Sequence, residues 1–112
     1  MISSAEEARL LLKKWISESA RVVAFATTKA MPAEFVIRLE GSIARVEEST
    51  DTVVFESGDN FILFGLNGVI QYQELVEISG SLPQIFARES QQWTEALSLA
   101  YHGGTLLFCT NS

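Results

Sequence analysis

The sequence predicts an α+β fold: an N-terminal helix, a five-stranded, strongly bent antiparallel sheet or small barrel, then a C-terminal helix and a short last strand. Three observations lead there. Apolar residues recur at helical spacing in the first sixteen positions, and the pattern changes to β-branched and aromatic runs from Val22 onward. A glycine, Gly41, interrupts the alternation of the longest strand. The 112 residues, 47% hydrophobic and 20% charged, suit one domain over residues 1–112 with a single core.

The first helix starts at Ser4, which has capping-box spacing to Glu7. Ala8, Leu11, Leu12, Trp15 and Ile16 form its apolar stripe. Val22 to Thr28 reads as a strand, ended by Met31-Pro32 because proline donates nothing to a ladder. Glu34 to Glu48 follows as a long strand with Phe35, Ile37 and Leu39 on one face. Past Gly41-Ser42 the apolar positions become Ile43, Ala44 and Val46, a slip of one residue that suggests a bulge or bend. Thr52 to Ser57, Phe61 to Leu66 and Val69 to Ile78 are the remaining meander strands, separated by Ser49-Thr50-Asp51, Gly58-Asp59-Asn60 and Asn67-Gly68. Asn67-Gly68 has the composition of a type I′ hairpin. Ser81, Pro83 and Gln84 open a second helix whose apolar face is Ile85, Phe86, Trp93, Ala96, Leu97, Ala100 and Tyr101. Gly103-Gly104 ends it, and Thr105 to Thr110 closes the sheet.

Composition excludes several chemistries. A net charge of -6 opposes bulk attraction to nucleic acid or anionic lipid. The only cysteine, Cys109, allows neither an internal disulfide nor a cysteine zinc site. Cys109-Thr110-Asn111-Ser112 has the length of a prenylation box, but Thr and Asn stand where aliphatics belong, so Cys109 is expected in a buried strand. Acidic Glu6 and Glu7 precede the first apolar residues and Lys13 and Lys14 follow them, the reverse of a secretory signal. No apolar run nears the roughly 18 residues of a spanning helix. The expectation is a soluble, unprocessed cytoplasmic protein without membrane association.

His102 is the sole histidine, and Asp51 and Asp59 fall in turns, so no local spacing assembles a catalytic or metal-binding cluster and no cofactor is expected. Tyr101-His102-Gly103-Gly104 invites comparison with an oxyanion loop, but glycine with histidine at a helix end is ordinary capping chemistry. Ser79-Gly80-Ser81 could hold one anion, though such turns usually just start helices. Phe61, Phe64 and Tyr72 lack the interleaved basic residues of a base-stacking surface. Charge is uneven: residues 1–45 carry seven basic and five acidic side chains, and residues 46–112 carry one and nine. This reads either as an uneven solvated surface or as a basic face that docks on the acidic face of a neighbouring subunit.

The run Phe35-Val36-Ile37-Arg38-Leu39-Glu40-Gly41, then Ile43-Ala44-Arg45-Val46 and Asp51, resembles the first motif of the Sm-like family. The resemblance spans roughly residues 5–75. It implies a small bent barrel and assembly into a ring. Departures touch the family's RNA site: Arg45 and Val46 stand near the motif's second glycine, Thr52-Val53-Val54-Phe55 lacks the base-holding asparagine, and Phe64-Gly65-Leu66-Asn67-Gly68 lacks the arginine. The leading expectation is therefore a non-catalytic, self-associating binding or assembly module, a homo-oligomer whose contacts use Trp15, Trp93 or the edge of the last strand, with the core as the favoured alternative place for both tryptophans. The alternatives are an RNA-binding Sm-like protein using Arg38 and Arg45, and a small-ligand protein or enzyme using His102.

Overall fold

The computed structural model describes residues 4–28, 36–69, 71–74, 89 and 91–110. Among the described residues, one helix, α1 (Ala5–Ser17), precedes seven strands: β1 (Val22–Thr28), β2 (Val36–Glu47), β3 (Thr52–Ser57), β4 (Asn60–Gly65), β5 (Gln71–Glu74), β6 (Glu95–Ala100) and β7 (Gly104–Thr110). All are antiparallel to their neighbours in one sheet of order β4-β3-β2-β1-β7-β6-β5. The expected five-stranded barrel with a C-terminal helix is thus replaced by an open seven-stranded sheet.

Helix α1 begins where its capping chemistry places it. The Ser4 hydroxyl oxygen accepts the Glu7 N–H at 3.3 Å, and the hydroxyl proton is directed to the Glu7 carboxylate at 3.4 Å. At the other end, Ser19 adopts φ 52, the Ser19 N–H reaches the Ile16 carbonyl and the Ala20 N–H reaches the Trp15 carbonyl. That is the Schellman geometry, here with serine at the left-handed position that glycine usually fills.

Ala8, Leu12 and Trp15 face the inner side of the sheet, where they meet Val22 and Ala24 of β1, Ile43 of β2, Val53 and Phe55 of β3, and Leu97, Leu99 and Phe108 from β6 and β7. Phe108 also stacks on Phe64 of β4 at 4.9 Å and lies 5.8 Å from Phe55. Strands β4 and β7 are four places apart, which in a flat sheet means about 19 Å. The sheet must therefore curl until its inner face touches itself. Gly41 permits part of this bend: a Cβ there would lie 1.7 Å from the Glu56 carbonyl oxygen. The slip beyond it is a bulge, since Ile43 pairs with Phe55 and Arg45 with Val54, leaving Ala44 unpaired.

A second, smaller core fills the outer side: Val23 and Phe25 of β1, Leu107 and Cys109 of β7, Ala96 of β6, and Trp93. Burial on both sides is the reason a helical pattern in the sequence, that of the expected second helix, corresponds to strand β6 over 95–100. Residues 96–99 are buried on both faces of β6, so their apolar positions do not alternate. Trp93, Ala96, Leu97, Ala100 and Tyr101 then match helical spacing by accident of two-sided burial. The proposed start of that helix, Ser81 to Phe86, and Ser79-Gly80-Ser81 lie outside the described residues. Tyr101 to Gly104 turns the β6–β7 hairpin instead of capping a helix, with the Tyr101 N–H on the Gly104 carbonyl at 2.8 Å.

Asn67-Gly68 is also not a hairpin. Six consecutive antiparallel pairings give β4 and β5 the same sense in the sheet, and a two-residue turn cannot join such strands. Positive φ occurs at Ser19, Asp51 and Gly58 among the described residues, and at neither Asn67 nor Gly68. Just after β4 the chain instead buries Leu66 in the inner core.

Three substitutions test this backbone account by urea unfolding. Gly41→Ala should lose about 1–3 kcal/mol, since β2 or β3 must shift, whereas Gly103→Ala meets no atom within 4 Å and should stay within about 0.5 kcal/mol. Ser19→Gly should raise stability by about 1 kcal/mol, because it relieves the left-handed position.

Candidate interaction surface

The two ends of the sheet differ in chemistry. Among the described residues, edge strand β5 is Gln71-Tyr72-Gln73-Glu74, polar and charged, which is how sheets discourage unwanted pairing. Edge strand β4 is Asn60-Phe61-Ile62-Leu63-Phe64-Gly65 and carries no ionisable side chain. Its alternation places Ile62 and Phe64 toward the inner core and Phe61 and Leu63 outward, 67% and 61% exposed. On that outer face Phe61 lies beside Glu56 and Leu63 beside Val54 of β3. Among the described residues, an apolar, uncharged strand therefore has one unpaired edge, and its outward side chains are open to solvent.

Tyrosines fix the chain just beyond this strand. The Tyr101 hydroxyl donates to the Gly65 carbonyl at 2.7 Å, and the Tyr72 hydroxyl donates to the Leu66 carbonyl at 2.8 Å. Burial pushes the Tyr101 phenol up to about 12, with Tyr72 adding to it. Burial, and then the charge of Asp51, raises Tyr72 too. Both phenols therefore remain proton donors throughout the neutral range. They tie the end of β4 to β5 and to the residue after β6 without closing the ladder between the two edges.

The basic residues singled out in the sequence are engaged within the chain. Arg38 and Arg45 share the outer face of β2, but Arg38 pairs with Glu89 at 2.6 Å and Glu40 at 2.9 Å, and Arg45 pairs with Glu47 at 2.8 Å. The Arg38 guanidinium also lies 5.9 Å from the Phe25 ring centre, and its two carboxylates hold it firmly protonated. A phosphate would have to displace these carboxylates. Helix α1 is tied likewise: Arg9 to Asp51, Lys13 to Glu48, and Lys14 to Glu95 at 2.8 Å. With Arg21 at 3.8 Å from Glu40, every described basic side chain has an acidic partner in the same chain. Most of these pairs join the basic first 45 residues to the acidic remainder, so the charge asymmetry is complementary within one molecule.

Trp15 and Trp93 are 1% and 5% exposed and belong to the two cores, so neither presents a contact surface. The Trp15 indole N–H donates to Glu95 at 3.2 Å, whereas that of Trp93 has no partner among the described residues. The last strand has no free edge either, because β7 lies between β1 and β6. His102 is exposed in the β6–β7 turn. Cys109 is buried, its thiol directed to the Val23 carbonyl at 3.5 Å and pushed up by desolvation, the opposite of an activated nucleophile. Among the described residues, no three His, Cys, Asp or Glu side chains group to hold a metal, and no helix is long and apolar enough to cross a membrane.

Comparison of the chain with protein-family models, with curated proteins and with solved structures gave no match. The β4 edge had a visible trace in the sequence, since Asn60 to Gly65 contains no charge. Its position at an edge was hidden by the hairpin expected at Asn67-Gly68.

The tyrosine tie can be titrated. A phenol whose folded value is raised contributes stability fully below the ordinary tyrosine value near 10, and loses it as pH climbs toward 12. Tyr101→Phe should cost about 1 kcal/mol at neutral pH through its lost hydrogen bond. It should also flatten the fall in stability between pH 10 and 12, read by urea unfolding.

Proposed function

We propose that this chain is a non-catalytic binding and assembly module that self-associates through the free edge of β4. The observation that carries the reading is the apolar, uncharged β4 edge, which has no strand partner among the described residues at the end of a sheet of seven antiparallel strands. The N–H and C=O groups along such an edge form a template for another strand, and Phe61 and Leu63 add apolar surface to whatever pairs there. The non-catalytic part is supported by the occupation of the described basic side chains in ion pairs and by the solitary position of His102 on a turn.

Light scattering over a concentration series tests this. The mass should rise above the 12.4 kDa of one chain as concentration increases. Two bodies of charge -6 repel, and β4 offers no ion pair to break, so added salt should strengthen the association. Phe61→Lys, at an exposed position, should return the mass to that of a monomer with the fold intact. A wild-type chain that stays monomeric at millimolar concentration and high salt would overturn the reading.

A further inference from the structure

We infer that the partner of β4 is the β4 of a second copy, paired antiparallel about a two-fold axis at Ile62, so that assembly closes at a dimer. This rests on the self-association proposed above and specifies its geometry.

Two constraints select the register. A two-fold axis perpendicular to a sheet keeps each side chain on its own face, so opposed residues must have the same parity along β4. Residues 61, 62 and 63 are then the possible centres near the middle of the strand. Centred on Ile62, each Phe61 lies opposite the other chain's Leu63, which brings all four exposed apolar side chains into one cluster. Aromatic and aliphatic residues directly opposed in this way are favourable cross-strand pairs. Centred on Leu63, each Phe61 faces Gly65 and loses its aliphatic partner. Centred on Phe61, Leu63 faces Asp59, which lies in the β3–β4 turn and would set a charge against the apolar cluster. The Ile62 register places Asp59 beyond the opposed segment of β4, and no like charges meet.

A second copy is favoured over an unrelated strand because this one segment supplies both sides of the match. An isologous contact uses the same patch on both molecules and leaves none for a third. The remaining edges of the dimer are the two β5 strands, polar and carrying Glu74.

Disulfide trapping reads the register directly. Directly opposed residues have Cα atoms about 4.5–5.5 Å apart, within disulfide reach, and positions offset by two residues lie about 7–8 Å apart, beyond it. Cys109 is buried, so a surface cysteine at β4 reacts without competition from it. Single variants Ile62→Cys, Phe61→Cys and Leu63→Cys are treated with diamide, which takes two protons and two electrons from each pair of thiols. Ile62→Cys should form a covalent dimer. Phe61→Cys and Leu63→Cys should each form no covalent dimer alone and should cross-link when mixed in equal amounts. This mixed arm uses exposed positions, so it stands even if Ile62→Cys folds poorly. Self-cross-linking of Phe61→Cys or Leu63→Cys would overturn the register and leave β4 association standing. Failure of every cross-link, with wild-type mass still above one chain, would overturn β4 pairing altogether. A wild-type monomer would instead overturn the proposed function.

Discussion

An odd number of strands, each antiparallel to the next, cannot close into a barrel without one parallel pair. In this chain β7 returns beside β1, and that single pairing settles the matter: β4 and β5 are left with the same sense at opposite ends of the sheet. Six interfaces at about 20–25° of twist each rotate the two ends strongly relative to one another. The end of β4 can then approach β5 in space without forming a ladder with it. Tyr72 and Tyr101 make the approach into structure by binding the Leu66 and Gly65 carbonyls, and Phe108 fills the space enclosed. The open edge is thus a consequence of topology.

Helix α1 completes the interior that the curl leaves unfilled. Its apolar face enters the core through Ala8, Leu12 and Trp15, and its basic residues reach acidic groups on both sides of the entrance: Asp51 and Glu48 after β2, Glu95 on β6. Each exposed pair contributes little alone. Their joint effect is to orient the helix and to neutralise the basic surface that its sequence carries. Glu48 is held below the ordinary carboxylate value chiefly by its bond to Lys13, and Glu40 chiefly by Arg38. Both pairings therefore hold above that range and weaken as acid protonates the carboxylates. What the charge pattern encodes is this chain's own fold.

Local signals in the sequence survived where one element decides its own conformation. Ser4 begins α1, β1 and β3 occupy their expected residues, and the slip after Gly41 is a bulge. The signals failed where burial depends on distant partners. Strand β6 has core on both faces, which erases alternation and leaves a spacing indistinguishable from helix. Asn67-Gly68 has hairpin composition, but parity across the whole sheet forbids a hairpin there, and parity cannot be read from seven residues. The tryptophans gave no sign of which side of the sheet would cover them. Charge was visible as an imbalance between halves, and only the structure shows that each half supplies the other's counterions.

The same topology that exposes β4 also limits what it can do. An apolar strand with a free edge risks indefinite pairing, and sheets usually suppress it with charge, proline or short length. Strand β5 follows that rule with a four-residue polar strand, and β4 does not. If both edges were apolar, one molecule's β4 could add to the next molecule's β5 and the sheet would extend without end. With one apolar edge and one polar edge among the described residues, head-to-tail growth lacks a second sticky side, and the proposed match for β4 is another β4. That contact is antiparallel, and it is spent once made. In the proposed dimer, the asymmetry between the edges is what turns an aggregation hazard into an assembly that stops at two.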